Sequence, residues 1–119
     1  MTSESINATR VYRLTDSGPV LGSYASATDL IGEMYGQDVE MLAIPVGRLD
    51  PEFFRLASGL AGGFMEKLQQ YGFRLAIVGD ISAPLGRSKP LQDFVRETNR
   101  HGRHLFVGND AELRQRLGG

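Results

Sequence analysis

Three apolar segments of strand length alternate with helical patterns, and this alternation constrains the fold more than any other feature of the chain. The segments are residues 39–45, 73–80 and 104–107, and apolar residues at helical spacing lie between them. A helical crossover between neighbouring strands of one sheet is right-handed in nearly all proteins and makes those strands parallel. The sequence therefore predicts an α/β domain with three parallel strands.

The N-terminal part of the chain predicts a hairpin followed by a first helix. Residues 10–14 and 20–24 have strand-like composition and flank a turn segment that contains Asp, Gly and Pro. Ser26 and Asp29 have the spacing of a capping box, so we expect this helix to begin at Ser26 and to end at Gly36.

The later helices are predicted from the residues at their ends. We expect one helix between Ser58 and Gly72, a second between Ser88 and Gly102, and a last one from Asn109 onward. The expected order of elements is β-β-α-β-α-β-α-β-α. These elements would form a single mixed sheet with an N-terminal hairpin and three parallel strands, with the helices packed on it.

Composition limits the size and the chemistry of this domain. We interpret residues 1–9 as a flexible polar tail and residues 10–119 as one domain, because a chain of 119 residues supports one core. The chain has no cysteine, which excludes disulfides, thiolate zinc sites and thiol catalysis.

Charge and hydropathy limit the partners. Thirteen basic and fourteen acidic residues leave a net charge of -1, so neither nucleic acid nor an anionic membrane is the expected partner. No apolar run approaches the roughly 20 residues that cross a bilayer. The first residues are polar and contain no apolar signal-peptide core, so the expected location is the cytoplasm.

Ser58 has two interpretations that the residues leave open. A serine at a helix N-terminus accepts a hydrogen bond from a free backbone N–H group and stabilises the helix by about 1 kcal/mol. A phosphate on the same hydroxyl would meet the same donors and would add about -1.5 to -2 charges. The residues favour the simple cap, and a phosphorylation switch is the alternative.

The carboxyl ends of the parallel strands are the predicted functional edge, because ligands of parallel sheets bind there. The expected interaction or ligand surface consists of residues that follow the strands: Asp50, Phe53, Phe54, Gly59, Asp80, Arg87 and Ser88. A small-molecule or catalytic site at the same edge would be lined by Arg48, Asp80, Arg87 and Ser88. Arg87 and Lys89, in a segment expected to be a mobile loop at residues 83–90, would hold a small anion.

No motif identifies an enzyme class. Gly59, Gly62 and Gly63 do not have the spacing of a phosphate-binding loop, and no dinucleotide fingerprint follows a strand. His101 and His104 match neither a metal-binding pattern nor a catalytic triad. We therefore predict no cofactor, no metal site and no catalytic residue, and favour a non-catalytic protein over an enzyme.

Several segments resemble a known family. From Arg10 nearly to its end, and most specifically in LDPEFF, GLAG, RLAIVGD, LQDFV and NRHGR, the chain resembles the bacterial domain-of-unknown-function family 4180, which has no established activity. More remotely, the element order and the Ser58-Gly59-Leu60 helix start resemble STAS domains, the fold of anti-sigma-factor antagonists. That resemblance implies that a partner kinase phosphorylates Ser58 and that phosphorylation breaks a complex.

Two functions are therefore expected. The first is a regulatory or protein-interaction domain of STAS-like type, with an unidentified protein partner that docks on residues 50–63 and with Ser58 as the switch. The alternative is a protein or enzyme that binds a small anionic molecule at the carboxyl edge of the parallel strands. A deep pocket with converging polar groups would favour the alternative. The exposed edge strand of the hairpin also permits a homodimer.

Overall fold

The computed structural model describes residues 2–118, which contain a single mixed sheet of five strands. The strands are β1 (Thr2–Ile6), β2 (Thr9–Arg13), β3 (Met41–Pro45), β4 (Arg74–Val78) and β5 (Leu105–Val107). They lie side by side in chain order; β1 and β2 are antiparallel, and all later pairs are parallel. The predicted α/β class, the mixed sheet with its N-terminal hairpin and the three parallel strands are confirmed.

Residues 2–118 also form five α-helices. They are α1 (Tyr24–Met34), α2 (Leu60–Gln70), α3 (Ser82–Arg87), α4 (Lys89–His101) and α5 (Asp110–Arg116). Between β3 and α2 the chain forms three short 3-10 turns, Val46–Arg48, Pro51–Phe54 and Leu56–Ser58. None of the helices within residues 2–118 combines the length and the apolar character that a bilayer crossing needs.

The helices divide between the two faces of the sheet. Ala27 of α1, Phe64 of α2 and Leu91 of α4 belong to one buried cluster with Leu42 and Leu75 of the sheet. The connections α1, α2 and α4 cover the same face because the strands follow one another in chain order and right-handed crossovers then lie on one side. The short helix α5 packs on the opposite face.

Two sets of contacts hold α5 on that opposite face. Arg13 of β2 and Arg114 of α5 each pair with both Glu4 of β1 and Asp110 of α5, so four charges of alternating sign form a closed ring. Hydrogen bonds from these arginines are the largest cause that lowers the pKa of the Glu4 and Asp110 carboxyl groups. Asn7 also donates from Nδ2 to the Leu117 carbonyl oxygen at 3.1 Å.

The hairpin uses different residues from those predicted. Thr2–Ile6 pairs with Thr9–Arg13, so the predicted flexible tail, residues 1–9, contains β1 in its described part. Residues 20–24, the predicted second strand, contribute only one isolated bridge, from Leu21 to Leu49, and α1 begins at Tyr24. The mostly polar β1 sequence lacks the apolar alternation of a strand because it forms an edge of the sheet. Whether this edge forms the expected homodimer stays a prediction.

The first helix begins earlier than expected. Ser23 is its N-cap and accepts at Oγ from the Ser26 backbone N–H at 3.1 Å. Ser26, the predicted cap, instead accepts at Oγ from the Gly22 backbone N–H at 3.0 Å. The two serines therefore satisfy two backbone N–H groups at the start of α1. Asp29, the predicted partner of Ser26 in a capping box, takes no part in these hydrogen bonds.

Later helix ends agree better with the prediction. Ser88 caps α4 by accepting from the Leu91 backbone N–H, and Gly102 ends that helix with φ 84°. Asn109 caps α5 by accepting from the Glu112 backbone N–H at 2.8 Å. The prediction of a loop at residues 83–90 is wrong, because most of this segment lies in helices α3 and α4.

A substitution in the hairpin turn should increase stability. Asn7 and Ala8 both have positive φ, 46° and 75°, as the central residues of type I′ turns do. Glycine adopts this conformation without the Cβ clash that alanine has, so Ala8→Gly should raise the free energy of unfolding by about 0.5–1 kcal/mol. Urea unfolding followed by circular dichroism measures the change. The exposed helical substitution Ala111→Gly should do the opposite; a loss of stability in both variants would contradict the turn assignment.

Candidate functional site

A groove opens at the carboxyl edge of the sheet, between the turns that follow β3 and the helices that follow β4. Its volume is about 500 Å³. The apolar lining residues are Pro51, Phe54, Leu56, Ala57, Pro84 and Pro90, and the polar ones are Glu52, Arg55, Arg87 and Ser88. We call this surface the edge groove. Of the residues predicted at the edge, Phe54, Arg87 and Ser88 line it.

One wall of the edge groove is anchored in the core. The Asp50 carboxylate accepts from the Glu52 backbone N–H at 2.9 Å and thereby caps the Pro51–Phe54 turn. Phe53 is completely buried and makes edge-to-face ring contacts with Phe54 and Phe64 at centroid distances of 5.4 and 5.9 Å. Phe53 therefore belongs to the core, and its prediction as a surface residue is wrong.

Ser58 connects this wall to α2. Its hydroxyl donates to the Glu52 carbonyl oxygen at 2.7 Å and accepts from the Leu60 backbone N–H at 3.2 Å. The N-cap position itself belongs to Gly59, which has φ 78° and lies just outside the helix. Ser58 therefore performs the hydrogen bonding of a cap from one residue further out. The residue is half-buried, and its hydroxyl both donates and accepts a hydrogen bond.

The opposite wall begins at the N-terminus of α4. Arg87 is exposed and makes no ion pair or side-chain hydrogen bond with residues 2–118, so its guanidinium group is free to meet a ligand. Lys89 is directed elsewhere, because its ammonium group lies 2.8 Å from the Asp93 carboxylate one helical turn further along. The predicted anion-binding pair is therefore reduced to Arg87.

Asp80 lies in a different cavity, of about 250 Å³, between the ends of β4 and β5. Its carboxylate accepts from the Ser82 backbone N–H at 2.9 Å, and this hydrogen bond is the largest cause that lowers the pKa of Asp80. Arg48 lines a third cavity, beside α1. The predicted small-molecule site of Arg48, Asp80, Arg87 and Ser88 is therefore not one site, because the structure distributes these residues over three cavities.

His104 has a role that the sequence did not indicate. It is 8% exposed at the start of β5, where its Nδ1 accepts from the Leu75 backbone N–H at 3.0 Å. Its Nε2 consequently carries the proton and donates to the Gln69 side-chain oxygen at 3.1 Å. Burial first, and then the nearby charges of Arg103, Arg74 and His101, lower the pKa of His104 to about 4.

This histidine lies at the amino edge of the sheet, opposite to the edge groove, and its contacts are structural. Residues 2–118 contain no group of three or more His, Asp or Glu side chains placed to hold a metal ion. No local pattern separates His104 from an exposed histidine, because its burial depends on β4 and α2.

Of the comparisons with known proteins, the one with protein families gives a match. Neither the curated proteins nor the solved structures contain a match to this chain, so its likeness to STAS domains stays a prediction. The model of the family described as "Domain of unknown function (DUF4180)" matches residues 6–117, which is nearly the entire chain. The chain therefore belongs to the DUF4180 family.

Proposed function

We propose that this protein is a non-catalytic regulatory or protein-interaction domain that docks a segment of a partner protein in the edge groove. The observation that carries the proposal is that this surface combines apolar residues with exposed charges. Phe54 is buried and Leu56 half-buried in its lining, whereas Glu52, Arg55 and Arg87 are exposed and supply the charges. Protein interfaces likewise combine an apolar centre with a polar rim.

The walls of the groove favour docking because they are already ordered. The Asp50 and Ser88 side chains cap the two segments that form the walls, and Phe53 anchors one of them in the core. A preformed surface loses little conformational entropy when a partner binds. The free guanidinium of Arg87 favours a partner segment that presents an acidic residue beside apolar ones.

Ser58 is the proposed switch of this surface. Its hydroxyl joins the Pro51–Phe54 turn to α2 through the Glu52 carbonyl and the Leu60 N–H group. A phosphate would remove the hydrogen bond to the Glu52 carbonyl oxygen and would add about -1.5 to -2 charges where the turn meets α2. The wall of the edge groove would then have to move. A kinase would reach the hydroxyl after this hydrogen bond opens, and the STAS-like helix start supports a partner of that kind.

Docking is tested by replacing each of two exposed alanines with glutamate. Ala57 lines the edge groove and is exposed, whereas Ala111 is exposed on α5 at the opposite face of the sheet. Ala57→Glu should weaken binding of a captured partner at least about tenfold, or 1.4 kcal/mol, and Ala111→Glu should leave it unchanged. The measurement is capture from the native host, followed by titration of the purified partner. Equal binding by both variants would contradict docking at this groove.

The switch is tested separately. Ser58→Ala should lower the free energy of unfolding by about 1 kcal/mol, because the Leu60 N–H group loses its acceptor. Ser58→Asp keeps an acceptor and adds charge, so it should weaken partner binding at least about tenfold while Ser58→Ala binds normally. If the aspartate variant bound like the unmodified protein, the switch would have no support, although the docking proposal would stand.

A further inference from the structure

Arg48 is a buried cation without a carboxylate partner. It is 8% exposed, and its guanidinium donates from Nη1 to the Thr15 carbonyl oxygen at 2.9 Å and from Nε to the Pro19 carbonyl oxygen at 3.1 Å. It forms no salt bridge with any carboxylate of residues 2–118. Buried charges in proteins are normally paired, so this guanidinium retains a positive charge for an anion to neutralise.

One nitrogen of this group is not completely enclosed. Nη2 makes no hydrogen bond with residues 2–118, yet no fully buried side-chain nitrogen or oxygen in that part of the chain lacks a partner. Nη2 must therefore keep solvent contact, and Arg48 lines a cavity of about 460 Å³. The surrounding loop is fitted closely to the guanidinium: a Cβ atom on Gly18 would lie 2.7 Å from both Cζ and Nη2.

The same cavity contains the opposite charge and an apolar wall. Leu14, Leu21 and Leu30 supply apolar surface, and α1 contributes the carboxylates of Asp29 and Glu33. Both carboxylates are exposed, and neither forms a salt bridge with a cation of residues 2–118. The cavity thus offers one buried cation, two unpaired anions and apolar contacts.

We propose that this Arg48 cavity binds a small apolar amino acid or a closely similar zwitterion. Its carboxylate would accept a hydrogen bond from Nη2 of Arg48, and its ammonium group would be neutralised by Asp29 and Glu33. The apolar side chain would contact the leucines. The volume lies within the range of about 300–1,000 Å³ of small-molecule sites. Multiply charged anions such as phosphate are disfavoured, because the two carboxylates repel them.

The test is a titration of the 119-residue protein with L-leucine, monitored by the NMR chemical shifts of the backbone amides. The matched probes are 4-methylpentanoate, which lacks the ammonium group, 3-methylbutylamine, which lacks the carboxylate, and inorganic phosphate. L-leucine should give saturable shifts in the loop before α1 and should bind at least about tenfold tighter than each probe. No saturation up to about 10 mM L-leucine, or equal binding of any probe, would overturn the proposal.

Two bulky substitutions on α1 test the location without disturbing Arg48. Ala25 is exposed and lines the cavity, whereas Thr28 is exposed on the same helix and does not. Ala25→Phe should reduce L-leucine affinity at least about tenfold, and Thr28→Phe should not change it. Asp29→Asn combined with Glu33→Gln should abolish the preference for L-leucine over 4-methylpentanoate. An unchanged preference, or equal affinity in both phenylalanine variants, would place the ligand elsewhere and refute the assignment.

Discussion

Phe53→Ala should lower the free energy of unfolding by about 3–5 kcal/mol, the largest single effect expected in this protein. The side chain is 0% exposed and packs against Phe54 and Phe64, so it joins the turn after β3 to α2. A Cβ atom on Gly22 would lie only 3.1 Å from the Phe53 ring, which shows how closely the start of α1 approaches it. Removing the ring would leave a cavity where these segments meet. Urea unfolding followed by circular dichroism measures the loss.

A conservative substitution of Phe53 tests whether lost packing causes the loss of stability. Phe53→Leu keeps most of the apolar volume and should cost less than about 1.5 kcal/mol. Ala57→Glu, in the same region but exposed, should change stability by no more than about 0.5 kcal/mol. If Phe53→Ala lost less than about 1 kcal/mol, Phe53 would belong at the surface, where the sequence placed it.

Acidification should destabilise the protein through His104. The pKa of this histidine falls from 6.5 to about 4 on folding, so the unfolded chain binds the proton more readily between those values. The contribution of neutral His104 to stability is therefore fully present above about pH 6.5 and is lost as pH falls toward 4. The total loss is about 3 kcal/mol, at 1.36 kcal/mol for each pKa unit. The physical cause is that a protonated ring is desolvated and can no longer accept from the Leu75 N–H group.

Variants at this position identify the group responsible. His104→Asn supplies an oxygen acceptor for the Leu75 N–H group and does not titrate, so the loss of stability between pH 6.5 and 4 should shrink. His104→Leu should cost about 1–3 kcal/mol at neutral pH, because the buried backbone N–H group of Leu75 loses its acceptor. His101→Gln removes the neighbouring, exposed histidine as a control. The prediction is wrong if His104→Asn and the unmodified protein show the same dependence of unfolding free energy on pH.

Local signals were sufficient for much of the fold. The parallel strands β3, β4 and β5 follow from continuous apolar runs, because strands covered on both faces have no polar side. Ser88 and Asn109 are recognisable as helix starts because an N-cap binds backbone groups only two or three residues away. Such interactions are complete within a few residues, so the sequence alone determines them.

The functional edge was predicted only in part. Phe54, Arg87 and Ser88 do line one groove, because strand direction brings the segments after β3 and β4 to the same edge. Asp80 and Arg48 line two other cavities. Their positions depend on how the short turns and α3 pack, which no local sequence pattern specifies.

The sequence by itself determined that buried strands and crossover helices alternate, and where several of those helices begin. Tertiary structure decided the rest. The polar β1 becomes a strand because β2 pairs with it, and β3 completes the other side of β2. Arg48 and His104 are buried because distant backbone groups supply their hydrogen-bond partners, 29 or more residues away. Long-range contacts of this kind leave no periodic signal in the chain, and they create both the charged cavity and the acid-sensitive histidine.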